Sequence, residues 1–451
     1  MTPQDLVKLG GAVRDAAVYH ANVDLVGRPY LRAMRVRSEL RAKVPGRWKH
    51  PHLSPPLRHT PRLKELITEH FLAGRHANLK KKVAWVTSGA PVEPLKALGF
   101  YTLYPENHGA VCGVRRQSEA ISIEAEKVGY SRDICSYART DIGTVLSGET
   151  PVGKLPRPDL LLCCTNICQT VLYWYRVLAH HYKVPLIIID TPFVYDEAPD
   201  HAISFVRRQF DDAIPAMERA AGRTLAPTNL ERAMRYSLEA VELWAKVMAT
   251  GASRPAPISA FDEFFHMAPI VEMRGEAKTV DYYASLLGEL EDRIKRGVGA
   301  LRKERKRLIW DNLPIWFWVR QFSEALAERG VALVASTYTN AWGELAPLID
   351  PNKPLDSMAR VYLHAILNRG TGHKLQTMVR MARQYRADGV ILHSDRSCKP
   401  YSIGQVDQRD RLAREHNLPA LLLEADHNDP RSFSEEQAST RLAAFLEVIG
   451  A

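Results

Sequence analysis

The chain has 451 residues, of which 46% are hydrophobic and 25% charged, with a formal net charge of +10; this is long enough for two or three domains and too evenly balanced for a disordered or fibrous protein. The apolar runs Leu160–Cys164 and Pro185–Ile189 are too short to span a bilayer. Met1–Asn22 is broken by Asp5, Lys8, Arg14 and Asp15 and holds no secretory signal, so a cytoplasmic protein without membrane contact is expected, and six cysteines in this length exclude a disulfide scaffold.

Residues 1–80 read as a helical and basic, Pro-rich arm, with Thr2 as the N-cap of a first helix. Ten Lys and Arg stand between Leu31 and Lys64 against Glu39 alone, so this stretch carries most of the excess charge. It lacks aromatic interleaving and no nucleic-acid motif accompanies it, so no nucleic-acid partner is expected. Five prolines between Val44 and Pro61 exclude regular helix there. A first α/β domain spans 81–205. It comprises strand Val83–Val86, a turn at Thr87-Ser88-Gly89, helix Glu93–Leu98, strand Phe100–Tyr104 and helix Ser118–Val128. Strand Leu160–Cys164, helix Cys168–Tyr182 and strand Leu186–Asp190 complete it. A helical segment follows over 206–305. A second α/β domain covers 306–451, with strands at Leu308–Trp310, Val331–Ala335, Val390–His393 and Ala420–Glu424. Its helices are Trp318–Arg329, His373–Arg386, Gln405–His416 and Glu435–Val448. The expected fold class is therefore α/β: two parallel-sheet, Rossmann- or flavodoxin-like domains joined by a helical middle.

Several chemistries lack their motifs. There is no phosphate loop, no G-x-G-x-x-G after a strand, no G-x-S-x-G and no H-E-x-x-H. There is also no C-x-x-C. In open α/β sheets ligands bind beyond the carboxyl ends of the strands, and three cysteines fall in loops of that kind. Cys135 follows a helix, Cys168 follows the strand Leu160–Cys164, and Cys398 follows Val390–His393. Three thiolates converging across the domain interface suit an iron–sulfur cluster with one iron left open. Ordinary burial of free thiols accounts for them as well. Cys163 and Cys164 lie within an apolar strand and read as core. Cys112, in a loop, reads as a fourth ligand, a thiol lining the site, or neither.

The order of motifs resembles the 2-hydroxyacyl-CoA dehydratase / benzoyl-CoA reductase family. The resemblance rests on Thr87-Ser88-Gly89-Ala90-Pro91-Val92-Glu93 with Tyr104-Pro105-Glu106-Asn107, and on Asp133-Ile134-Cys135-Ser136-Tyr137. It continues through Pro158–Cys168 with Trp174, Ser397-Cys398-Lys399 and Glu424-Ala425-Asp426. It runs from about residue 83 to the end. Asp141-Ile142-Gly143, Arg307–Trp316 and Ser336-Thr337-Tyr338 look most like the larger cluster-carrying subunit of ATP-dependent benzoyl-CoA reductase. The resemblance implies a [4Fe–4S] cluster on Cys135, Cys168 and Cys398 at the domain interface. It also implies an acyl-CoA substrate, a homologous second cluster-carrying subunit, and an ATP-hydrolysing activator fed by ferredoxin. The implied reaction is reduction of an aromatic acyl-CoA ring, or alternatively dehydration of a 2-hydroxyacyl-CoA through a ketyl radical. A non-catalytic or double-cluster electron-transfer relative is a third reading. Ser88 and Glu106 resemble positions facing cluster and substrate, Ser88 as a hydrogen-bond donor and Glu106 as acid or base. Ser88 otherwise reads as a helix N-cap and Glu106 as a surface carboxylate. His108 offers a proton donor or is a solvated loop histidine. Asp190, Trp310, Trp316 and Trp342 are candidates for the pocket wall.

Overall fold

The computed structural model describes residues 3–44, 46 and 48–450. Thr2, expected to be an N-cap, lies outside the described residues, as do Pro45 and Arg47 of the basic stretch. Helix α1 (Pro3–Tyr19) leads through a π-helical stretch, His20–Gly27, into α2 (Arg28–Ala42). The basic stretch thus begins as helix. Its charges are partly tied down against α3 (Thr60–Arg75): Arg35 pairs with Glu39 and Glu65, each at 2.8 Å, and Arg28 with Glu69 at 2.7 Å. The described residues of the Pro-rich connection are irregular, as expected, up to His59. Pro61 then sits in the first turn of α3, where its missing N–H breaks no helical bond.

Among the described residues eight strands form two four-stranded sheets in which every pairing is parallel. The first holds β1 (Val83–Val86), β2 (Tyr101–Leu103), β3 (Leu160–Cys164) and β4 (Leu186–Ile189) in the order β2-β1-β3-β4. The second holds β5 (Lys306–Asp311), β6 (Val331–Ser336), β7 (Gly389–Asp395) and β8 (Ala420–Ala425) in the order β6-β5-β7-β8. The two sheets share one topology, and it is the flavodoxin-like start expected from the strand–helix alternation. β1 and β3 are buried along their whole length, as continuous apolar runs covered on both faces must be.

Helices fill the connections. α4 (Glu93–Ala97), α5 (Pro105–Val114), α6 (Ser118–Lys127), α7 (Ser136–Ser147) and α8 (Gln169–Tyr182) belong to the first sheet. α9 (Asp200–Ala221) and α10 (Pro227–Ala249) open the middle segment, which continues through Ala260–His266, Ala268–Glu272 and Ala277–Lys295. One apolar cluster runs through both sheets: Trp85 and Leu161 share it with Trp310, Leu333 and Ile391. Cys163 lies in this cluster and Cys164 in the one on the opposite face, both fully buried, in keeping with their reading as core.

The stretch around His108 and Cys112 reads as a loop and 136–147 has no assigned element, yet Pro105–Val114 and Ser136–Ser147 are both helical, each interrupted by glycine. Gly143 shows why a helix would carry one. A Cβ there would stand 1.9 Å from the Ile121 carbonyl oxygen, so α6 and α7 approach each other more closely than any side chain permits.

Candidate functional site

Strand order places a switch point between β1 and β3 and an equivalent one between β5 and β7. Neighbouring connections run to opposite sides there and leave a crevice at the strand ends. Both crevices open on one pocket. Ser88 and Gly89 enter it from the end of β1, Asn166 and Cys168 from β3, Leu313 from β5 and Cys398 from β7. Cys135 reaches it from the start of α7 and Glu106 from the first turn of α5. Five of the six site residues expected from the sequence therefore line a single cavity. Its wall is overwhelmingly apolar and aromatic, with Tyr137, Trp174, Tyr338, Trp342, Tyr362 and Tyr401.

Each of the three cysteines occupies the position just before a helix: Cys135 before α7, Cys168 before α8, and Cys398 before the short turn Lys399–Ser402. The partial positive charge of a helix N-terminus favours anionic sulfur. Burial works the other way. It pushes the Cys168 thiol up to about 12, with Cys135 adding to the rise, while the N–H groups of Val171 and Thr170 oppose it. Burial also pushes Cys398 well above its ordinary value, helped by Asp395, Cys135 and Cys168, with the N–H of Tyr401 opposing. The three thiols therefore sit close enough to feel one another. They stand wider apart than single-ion ligands: among the described residues the one group with ligand atoms within 4.8 Å of one another is Asp395, Asp426 and His427. Without a cation the Cys168 and Cys398 thiols stay protonated, and a metal's charge is what would ionise them. That donor set, soft, spaced apart and facing helix N-termini, fits a multinuclear iron–sulfur group.

Ser88 is not a helix cap, because α4 starts five residues later behind Val92. Its Oγ is buried without a partner. The Ser88 N–H donates to Glu106 Oε1 at 3.1 Å, and Glu106 Oε2 is buried and unpartnered. Glu106 is no surface carboxylate. Burial raises its pKa to about 7, against the lowering effect of its own N–H and of Ser88. A buried carboxyl holding its proton near neutrality is a general-acid candidate.

His108 lies outside the pocket. It is neither solvated nor in a loop: α5 buries it completely, with Nε2 2.7 Å from Thr150 Oγ1, and burial lowers its pKa to about 4. Cys112, on the same helix, is fully buried 3.6 Å from His108 Nε2 and also stays away from the pocket. Of the four wall candidates only Trp342 lines the pocket. Trp310 is core and Asp190 is exposed, accepting from Thr165 at 2.8 Å. Trp316 stands one layer behind, donating its Nε1–H to the Tyr137 hydroxyl.

Sequence reasoning missed the supports of the wall. Trp174 Nε1 donates at 2.8 Å to Asp141, whose carboxyl burial pushes up to about 8. Asp141 and Gly143 thus serve helix packing and wall placement, so the Asp141-Ile142-Gly143 motif says little about substrate choice. Arg274 lies with its guanidinium 3.8 Å over the Trp342 ring, 3.2 Å from Glu93 and 2.7 Å from the Tyr362 hydroxyl, all buried. Asn166 donates to the Gly89 carbonyl at 2.9 Å and the Tyr362 carbonyl at 2.7 Å, tying the two halves together across the cavity. These residues are far apart in the chain and carry no local signature.

A family model described as 2-hydroxyglutaryl-CoA dehydratase, D-component, matches residues 87–449. The (R)-2-hydroxyisocaproyl-CoA dehydratase alpha subunit of Clostridioides difficile is 34% identical over 397 residues, which is 85% of this chain and 95% of that protein. The (R)-phenyllactyl-CoA dehydratase alpha subunit of Clostridium sporogenes is 30% identical, covering 82% of this chain and 90% of that one. A benzoyl-CoA reductase subunit of Thauera aromatica is also 30% identical, over 86% of this chain and 93% of its own length. All three are named as subunits of larger enzymes. Among the described residues no helix is long and apolar enough to cross a membrane.

Proposed function

The chain belongs to the family of the 2-hydroxyglutaryl-CoA dehydratase D-component, and from that premise we propose that it is the cluster-holding subunit of an enzyme that activates an acyl-CoA by one-electron reduction. The observation that carries this reading is the single apolar pocket shared by Cys135, Cys168, Cys398, Ser88 and Glu106. A [4Fe–4S] cluster on the three thiolates would supply a low-potential electron and one iron free of protein ligands.

The chain's own residues do the rest. The aromatic wall excludes water and holds an apolar acyl group, and in that dry setting every hydrogen bond to developing charge counts for more. Ser88 Oγ, which has no partner of its own, donates to the polar group of the bound acyl thioester. Glu106 holds a proton on a carboxyl kept in place by the Ser88 N–H, and its pKa of about 7 lets it give or take that proton near neutrality. Among the described residues no Lys or Arg lines the pocket, so the acyl end, and not the phosphates of coenzyme A, belongs there.

Dehydration of an (R)-2-hydroxyacyl-CoA with a branched or aromatic side chain is the first reading. It is supported by the 34% identity to a 2-hydroxyisocaproyl-CoA dehydratase subunit. Reduction of an aromatic acyl-CoA ring is the second, supported by the six aromatic side chains around the pocket and by the benzoyl-CoA reductase subunit among the relatives. Either reaction requires a second cluster-carrying subunit and an ATP-hydrolysing activator supplied by ferredoxin. This chain, which lacks a phosphate loop, would leave ATP hydrolysis to the activator.

The test is iron and acid-labile sulfide in the anaerobically purified chain with its partner subunit, beside Cys135→Ala, Cys168→Ala and Cys398→Ala. About four of each per chain, as one four-iron cluster requires, lost in each variant, supports the reading. Assays with 2-hydroxyisocaproyl-CoA, phenyllactyl-CoA and benzoyl-CoA in the presence of activator then choose between the reactions. No iron after reconstitution overturns it.

A further inference from the structure

Immediately behind Cys135 lies a buried polar ring that the proposed chemistry does not use. His427 follows β8 by two residues and is fully buried. Its Nδ1 is 2.7 Å from Asp395 Oδ2, and its Nε2 is 2.9 Å from Ser136 Oγ and 4.0 Å from Cys135 Sγ. Asp395 ends β7, three residues before Cys398, and its other oxygen accepts the Ser397 N–H at 3.2 Å. Ser397 Oγ in turn accepts the Ser136 N–H at 3.2 Å. The bonds therefore close a circuit, Asp395–His427–Ser136–Ser397, that joins the residue after one cysteine to the residue before another. The imidazole has no freedom within it. The Tyr137 ring stands T-shaped to it with 4.2 Å between ring centroids, the backbone N–H of Trp316 donates to the His427 backbone carbonyl at 3.0 Å, and Asp426 stands 3.9 Å from Nδ1.

Polar groups this deeply buried are costly unless fully bonded. Asp395, Asp426 and His427 also lie close enough together to suggest an ion site. Their hydrogen bonds account for them, since Asp426 Oδ1 already accepts from Asn428 and Asp429 and Asp395 is engaged on both oxygens. What the circuit does geometrically is fix the spacing of the Cys135 and Cys398 loops.

We propose that His427, oriented by Asp395, is a positioning residue for the cysteine site: it backs the Cys135 sulfur and locks the Cys135 loop to the Cys398 loop. This rests on the reading that Cys135, Cys168 and Cys398 hold the cluster. Partners of this kind behind a ligand are worth roughly 10- to 100-fold in metal retention.

The experiment uses the full chain with its partner subunit, purified without oxygen, as wild type, His427→Ala, His427→Gln and Asp395→Asn. Iron content of the wild type reads the underlying assignment: an iron-free wild type overturns that assignment and this inference with it. Given four irons in the wild type, the rate of iron loss to a chelator and the midpoint potential read the inference alone. The expected result is about tenfold faster iron loss in His427→Ala and Asp395→Asn. Their midpoint is expected to be displaced by the equivalent of about tenfold, 59 mV for one electron. His427→Gln, whose amide reaches toward Ser136 but forgoes the Asp395 bond, falls between. A purely structural role would lower the melting temperature and leave the midpoint in place. Folded variants with wild-type iron loss and midpoint overturn the proposal. If His427→Ala does not fold, Ser136→Ala and Ser397→Ala cut the same circuit more mildly and are held to the same two readouts.

Discussion

The N–H of Ser88 donates to Glu106 Oε1 at 3.1 Å, joining the turn after β1 to the first turn of α5 and leaving Oε2 without a partner at the pocket wall. The bond needs only an acceptor, so Glu106→Gln should preserve it while removing the transferable proton. The expected outcome is wild-type iron content, little change in KM, and a fall in kcat of about 100- to 10,000-fold, the range for loss of a general acid or base. With the carboxyl titrating at about 7, an acid role predicts a wild-type rate that declines as pH rises above 7. A base role predicts the opposite limb. Unchanged kcat in Glu106→Gln would remove the residue from the mechanism.

Arg274 and Glu93 form a buried ion pair at 3.2 Å behind Trp342 and Tyr362. Removing one member strands the other's charge out of water, which costs about 3–5 kcal/mol. Arg274→Ala should therefore unfold at markedly lower urea concentration, and the released Trp342 should raise KM. Arg274→Leu combined with Glu93→Leu strands no charge and should be less destabilised than the two single changes added together. Additive losses would show that the pair is not coupled.

Much of this arrangement was legible in the sequence. The strands announce themselves as short apolar runs, and Cys168 and Cys398 stand just beyond two of them, so their placement at strand ends follows from local pattern. The helices α5 and α7 do not, because Gly109, Gly113 and Gly143 break the apolar period for the sake of close helix contacts that only the folded chain reveals. The same omission placed His108 and Cys112 in a loop, and His108 in solvent, when both are buried on α5. Arg274, Asn166 and His427 act through partners 181, 196 and 291 residues away, Glu93, Tyr362 and Ser136, and no window of sequence displays such pairings.

Gly143 within α7 and Gly148 at its C-cap should respond differently to the same substitution. Gly143→Ala drives a Cβ to 1.9 Å from the Ile121 carbonyl oxygen, a backbone atom that cannot swing aside. Overpacking of this kind costs about 1–3 kcal/mol or more and moves α7, with Cys135 and Tyr137 at its start, so both melting temperature and iron content should fall. Gly148 caps the helix at φ +75° with open space around it. Gly148→Ala incurs only the left-handed strain, about 1–2 kcal/mol, and should keep its iron. Equal iron loss in the two variants would contradict the close-packing account.

Glu263, which does not line the pocket, gives a test of burial. One oxygen accepts from Thr339 Oγ1 at 2.8 Å while Oε1 has no partner. Burial pushes its carboxyl up from 4.5 to about 8, with Thr339 opposing and Asp262 assisting. The folded chain thus keeps this proton up to about pH 8, whereas the unfolded chain releases it near 4.5. Stability from this group is fully present below pH 4.5 and is lost as pH rises toward 8, at a limiting slope of about 1.4 kcal/mol per pH unit. Glu106, Glu272 and Asp141, raised to about 7, 7 and 8, act in the same direction. Glu263→Gln deletes one proton's share of the slope and nothing else that titrates. Urea unfolding of wild type and variant at pH 5.5, 6.5 and 7.5 should therefore show the wild type losing stability faster, so that the difference between them shifts in the variant's favour as pH rises. Parallel lines would mean that Glu263 is already ionised in the folded chain.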